Sequence, residues 1–332
     1  MAGLIVGDHG VLAVDSANAK LDIDSVGREL VHSVSRGRWV LIAVASGAFG
    51  VLAALVATPK LDTASTPFPG LAPWTESPAT IPPPPREEIA VFDAHQSVVI
   101  EQENGTTHTI VYSSVILDPR WIDLQFFGGW SREFEANEDG DALLFFTGPT
   151  FEKGHPQEPL GMVLHGDLKL SDQTIRAGNR AAAASRAFIA IRHDGGLDFG
   201  FGSLDAQADQ DYRLFIGGLH AFVHPLDSTP AHYKGVYGPM TMADVRIVYG
   251  LRADGRLEVV ETADGVLFPD LRRFVEAKGF VAAFLPDHAS KSRLIVPGER
   301  LWSEEQAVWV SGGKPSITAL PFMLRVVPRP QL

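Results

Sequence analysis

His220 and His224 stand four residues apart, a spacing that on a helix turns two imidazoles to one face as ligands for a metal such as zinc. Their neighbours argue against a helix. Phe215-Ile-Gly-Gly upstream and Val223-His-Pro around the second histidine favour strand and turn, so ordinary strand or loop histidines and no metal are expected. His193-Asp194 has the composition of a base with an orienting carboxylate, yet Asp194-Gly195-Gly196 between two apolar runs is first of all a turn. Gly200-Phe-Gly-Ser-Leu matches neither a phosphate loop, a dinucleotide fingerprint nor a nucleophile elbow. Asn104-Gly-Thr106 has the form of a glycosylation acceptor, but a hairpin turn is the more economical reading. The chain has no cysteine, which excludes disulfides, thiolate metal sites and a cysteine nucleophile. No cofactor is expected.

The elements that position any such groups are read from composition and pattern. In 332 residues, 45% apolar side chains are enough for a sizeable core, and a net charge of −12 without a basic run argues against a nucleic-acid partner. Trp39–Thr58 carries no charge over 20 residues, which at ~1.5 Å per residue matches a bilayer core of about 30 Å. A cleaved signal peptide fits less well: 38 residues precede the run, and Leu55 lies three places before a cut at Ala57. Arg28, Arg36 and Arg38 flank it on one side, and only Lys60 on the other until Arg86, so residues 1–38 are assigned to the cytoplasm. The expected location is the inner membrane, with the C-terminal domain periplasmic or extracellular. Within the span, Ala43 and Gly47, and beside them Ser46, Gly50 and Ala54, recur every four residues and line one face with small side chains, which suits packing against transmembrane helices of other subunits.

Residues 59–88 form a proline-rich linker, with nine prolines from Pro59 to Pro85, and extended polyproline conformation is expected there. Residues 89–332 read as one sheet-dominated α+β domain. Ser97–Glu103 and Thr106–Tyr112 flank Asn104-Gly105, which predicts a two-residue hairpin with φ > 0 at both positions. Further strands are expected at Ile122–Phe127, Ala142–Phe146, Gly161–Leu164, Phe188–Arg192, Leu214–Ile216, Val245–Leu251, Leu257–Glu261, Phe280–Leu285, Ala307–Val310 and Met323–Val327. Pro269–Gly279 has the start, apolar spacing and glycine stop of a helix, and Arg180–Arg186 is a second candidate.

In order and spacing, residues 105–328 resemble the phosphodiester glycosidase family, the domain of the enzyme that uncovers mannose 6-phosphate by removing N-acetylglucosamine. Thr147-Gly148-Pro149-Thr150-Phe151 stands where the family has Asn-Gly-Gly-x-Phe, and Pro159-Leu160-Gly161 through His165-Gly166 where it has Pro-x-Gly-Leu and a turn. Ala187 to Asp194-Gly195, Gly217-Gly218, Arg246 to Gly250, Asp254-Gly255 and Asp264-Gly265 follow in the family's order. Ala283-Phe-Leu-Pro286-Asp287-His288-Ala-Ser290 holds the place of Leu-Asp-Gly-Gly-x-Ser.

The resemblance implies a site in which Arg246 clamps a phosphate, Asp287 or His288 moves protons, and Ser290 is retained. The changes fall on polar and glycine positions: the family's asparagine is Thr147, its second glycine is Pro149, and Asp-Gly-Gly is Pro286-Asp287-His288. A carboxylate displaced by one residue on a strand points to the opposite face. The expected function is therefore a non-catalytic accessory or structural subunit of a membrane assembly. An active envelope hydrolase of glycosyl phosphodiesters and a phosphosugar or cell-wall binding module are the alternatives.

Overall fold

The computed structural model describes the backbone of residues 3–7, 10–14, 309–310 and 314–315, and residues 82–153, 161–223, 243–287, 289–304 and 318–330. The expected span Trp39–Thr58, its small-residue face and most of the linker lie outside the described residues. Among the described residues no helix is long and apolar enough to cross a membrane. Two compact units divide the chain, Met1–Pro59 and Lys60–Leu332. In the first, β1 (Gly3–Gly7) pairs antiparallel with β2 (Gly10–Val14), Gly3 opposite Val14.

The second unit begins with one helical turn, α1 (Arg86–Ile89), and the strands β3 (Ala90–Glu101), β4 (Thr107–Leu117) and β5 (Ile122–Gly128). After α2 (Glu133–Asn137) come β6 (Leu144–Thr147), β7 (Phe151–Lys153), β8 (Met162–Leu164), β9 (Leu168–Lys169) and β10 (Thr174–Ile175). α3 (Arg180–Ser185) leads to β11 (Ala187–Arg192) and β12 (Leu197–Phe201), and α4 (Ala206–Asp211) to the long β13 (Tyr212–Val223). β14 (Ile247–Leu251), β15 (Leu257–Thr262), α5 (Phe268–Ala277) and β16 (Ala282–Leu285) follow. The short β17 (Leu294–Ile295), β18 (Trp309–Val310) and β19 (Lys314–Pro315) precede β20 (Phe322–Pro328).

A ten-stranded sheet runs β10-β9-β13-β16-β14-β15-β4-β3, with β11 on β13 and β12 on β11; a four-stranded sheet runs β17-β6-β20-β5. Strand alternation separates two cores. Ile247, Tyr249 and Leu251 of β14 join Phe145, Phe146 and Leu324 of the small sheet, whereas Val248 faces Leu271 and Phe274 of α5. The large sheet thus carries the small sheet on one face and α5 on the other. Helix α5 starts with proline in its first turn, buries Leu271, Phe274 and Val275, and is closed by Gly279 at φ +68. Each of those buried side chains contributes about 1.5–3 kcal/mol.

The Asn104-Gly105 hairpin is present, but its turn differs from the expected one. Gly105 N–H donates to Gln102 O and Gln102 N–H to Thr106 O, and only Gly105 has positive φ. This is a type I turn followed by a left-handed glycine bulge. The same pattern closes β11–β12, where Gly195 donates to Arg192, and β14–β15, where Gly255 donates to Arg252. In all three the preceding Asn104, Asp194 or Asp254 side chain accepts from the amide two residues on, at 3.0, 2.8 and 3.1 Å. The Asx side chain holds the turn, so Asx-Gly selects this bulged form here rather than the two-residue turn.

The expected strand Leu214–Ile216 is part of a twelve-residue strand that passes through Gly217-Gly218. Its first part pairs with β11 and β9, and His220, Ala221 and Val223 pair with β16. The Gly217-Gly218 bulge lets one strand serve both parts of the sheet. His220 accordingly lies in a strand; His224 lies outside the described residues.

Candidate functional site

The motifs that carry the resemblance meet at one end of the large sheet. β14 pairs with β16 as far as Tyr249 opposite Phe284, and β13 with β16 as far as His220 opposite Leu285; Arg246, Gly218 and Asp287 lie just beyond these last pairs. The Asp287 amide donates to Gly148 O at 3.4 Å, and the His165 amide to Thr150 O at 3.0 Å. Gly166 packs backbone to backbone on Gly217 and Gly218. The Thr147 hydroxyl donates to Lys291 O at 2.8 Å and accepts the Arg293 amide at 2.7 Å, while Tyr249 Oη donates to Thr147 O. Segments separated by more than one hundred residues therefore form one neighbourhood.

The side chains in it are directed into the protein. Arg246 is only 2% exposed; its Nε donates to Val266 O at 3.0 Å and its guanidinium lies 4.2 Å from the Phe268 ring centre. Burial lowers its pKa, with Asp244 and Asp264 opposing that shift. Asp287 is buried and paired with Lys291 Nζ at 2.6 Å, and that ammonium also lies 4.8 Å from the Phe151 ring centre. Ser290 Oγ shares a hydrogen bond with Thr318 Oγ1 at 2.6 Å. None of these contacts is shared between Arg246 and either Asp287 or Ser290. His288 lies outside the described residues.

Two groups outside the expected site residues pair here, His165 and Glu152, and the Asp287 charge acts on the first of them. His165 Nε2 is 2.7 Å from Glu152 Oε1, and Asn179 Nδ2 donates to the same oxygen at 3.2 Å. Burial holds the His165 pKa below its ordinary value, with the Arg186 charge acting in the same direction and Glu152 and Asp287 pulling it up. A neutral ring that donates from Nε2 leaves Nδ1 as a proton acceptor, the form of a general base. Nδ1 is buried and has no hydrogen-bond partner among the described residues. His165 was visible within the Pro159–Gly166 motif, but its partner across the β7–β8 hairpin could be found only from the pairing of Glu152 with Val163.

Asp167, the residue after Gly166, is fully buried and accepts the amides of Ala177 and Leu204, both at 2.8 Å, and Arg180 Nη1 at 2.5 Å. Its own carbonyl accepts the Gly217 amide at 2.8 Å. It ties β13 to the two segments around α3 and α4. Surface cavities of about 550 and 370 Å³ are lined by Phe127, Arg132 and Phe134, and by Phe92, His95 and Arg300. Arg246, Asp287 and Ser290 line neither. Among the described residues no group of three or more His, Asp or Glu is placed to hold a metal ion.

No family model matches the chain, and no curated protein sequence matches it. Solved structures do. The zebrafish N-acetylglucosamine-1-phosphodiester alpha-N-acetylglucosaminidase catalytic domain, auto-inhibited by its pro-peptide, aligns with a TM-score of 0.53 at 14% identity, covering 76% of this chain and 87% of that one. A hypothetical protein from Synechocystis aligns at 0.46 and 12% identity, over 73% of this chain and 62% of the other. An exported protein from Burkholderia pseudomallei aligns at 0.36 and 11%, over 68% and 75%. The likeness to the zebrafish domain is one of fold: this unit is a sheet-dominated domain distantly related in architecture to a glycosidase.

Proposed function

We propose that the folded unit is a catalytically silent accessory domain on a glycosidase-like framework, held at the inner membrane by the Trp39–Thr58 span as a structural subunit of a larger assembly. The observation that carries the first part is the closure of Asp287 by Lys291, with Arg246 turned onto Val266 and Phe268. A carboxylate paired with a lysine four residues on and a buried guanidinium held by its Nε on a backbone carbonyl and stacked on a ring are poorly placed to bind and cleave a phosphodiester. The membrane and partner parts rest on the apolar run and its small-residue face.

The test is hydrolysis of an N-acetylglucosamine phosphodiester by the purified full chain. No turnover above that of an Asp287→Asn, His165→Ala double variant is expected. Turnover that the double variant lacks would reject the silent reading. It would instead favour hydrolysis, for which His165, buried, paired with the exposed Glu152 and acted on by the Asp287 charge, is the supporting observation. Extraction from native membranes in mild detergent tests the assembly: co-migration with stoichiometric membrane subunits is expected, and migration as a lone 35.9 kDa chain would reject it.

A further inference from the structure

The strand order of the large sheet ends at β3, whose outer edge has no partner among the described residues. The Gln102 amide donates to Thr106 O at the hairpin end, so alternation directs the backbone groups of even-numbered β3 residues toward β4. Those of Ser97, Val99 and Glu101 point outward. Val99 is 63% exposed, while Val98 and Ile100 belong to the core beneath α5 and hold the strand in place. A bulge places Ala94 and His95 opposite Ser113 and limits the regular segment to Gln96–Glu101. Between the bulge and the hairpin this segment has no lysine, arginine or proline, and Glu101 at its end is its one charge.

We infer that this edge pairs with the same edge of a second copy, antiparallel about a two-fold axis at Val99. Only registers that bring outward-directed residues together make ladder bonds, which leaves axes at Val98, Val99 or Ile100 for the centre of the segment. An axis at Ile100 sets the Glu101 carboxylate against Val99, and one at Val98 sets Ser97 against Val99. With the axis at Val99, the exposed valines meet each other, Ser97 can donate to Glu101 of the copy, and Val98 lies opposite Ile100. The edge is self-complementary in that register, which is why a second copy, rather than an unrelated strand, is the occupant assigned. This inference is independent of whether the domain hydrolyses anything.

The absence of cysteine from the chain makes the test specific. The full chain in mild detergent should sediment as an even-numbered oligomer, and Val99→Cys should form a disulfide-linked pair under mild oxidation, because residues facing each other across such an axis are within disulfide reach. Val99→Lys and Ser97→Pro should each weaken association at least about tenfold, by charge and by loss of an outward donor, without unfolding an exposed edge. A Val99→Cys chain that stays uncrosslinked, or association unchanged in Val99→Lys, would overturn the inference. So would a monomer; one whose Ser97, Val99 and Glu101 amides are nonetheless protected from exchange would show that another segment covers the edge.

Discussion

Gly166 and Gly218 stand backbone to backbone: a Cβ on Gly166 would overlap the Gly218 nitrogen, and one on Gly218 would come within 2.8 Å of the Gly166 nitrogen. Gly218 also has φ +77. This contact joins the turn after β8 to the bulge of β13, and no flexible side chain is available to give way. Gly166→Ala should therefore cost on the order of 3 kcal/mol or more, by the strain of overpacking against backbone. Thermal unfolding of the two chains measures it; a melting temperature within a degree of the parent would show that the contact is not needed.

Asp167→Asn should destabilise the domain by about 2–4 kcal/mol. The carboxylate accepts one amide on each oxygen, and an asparagine must turn its NH₂ toward either Ala177 or Leu204, leaving two donors facing each other in the interior. Urea unfolding monitored by tryptophan fluorescence should show a lower midpoint, and an unchanged midpoint would contradict the role given to this side chain.

Asp244 is buried, and desolvation raises its pKa from 3.8 to about 6 despite the Arg246 charge. The folded state then holds the proton more tightly than the unfolded state. Folding is favoured by this group at low pH, and that advantage is lost as pH rises from about 4 to 6, leaving a penalty of order 2–3 kcal/mol above the folded pKa. Asp244→Asn should stabilise the protein at pH 7 and make no difference near pH 4. Stability measured across that range would show a converging pair of curves; parallel curves would reject the assignment.

Glu152→Gln should lower the His165 pKa further, because the carboxylate is the larger of the influences that raise it against burial. The sign for stability follows: with a folded pKa below 6.5, the unfolded chain takes up the proton first, so stability falls as pH drops below 6.5. Glu152→Gln should deepen that fall. Imidazole chemical shifts titrated by NMR read the pKa directly, and an upward shift would show that Glu152 does not face the ring.

Much of the framework was legible because its signals are local. The Asx-Gly pairs marked the ends of hairpins, the proline start and glycine stop bracketed α5, and apolar runs located most strands to within a few residues. The form of the turns was less legible, since the bulge depends on a side chain accepting an amide two residues later. The length of β13 was missed because Gly217-Gly218, which usually ends a strand, here bends one so that it can pair on both sides.

The sequence by itself determined the class of the domain, the order of its strands along the chain, the apolar run expected to meet a bilayer, and the motif order that resembles a glycosidase. It could not say whether Arg246, Asp287 and Ser290 act together, nor could it bring forward Glu152 or Lys291. Those outcomes depend on which backbone segments meet at the end of the large sheet, and on which neighbour each charge finds once water is excluded. Arg246 settled on Val266 and Phe268, and Asp287 on Lys291, because a buried charge is costly until it is paired, and the pairing is fixed only by tertiary contacts.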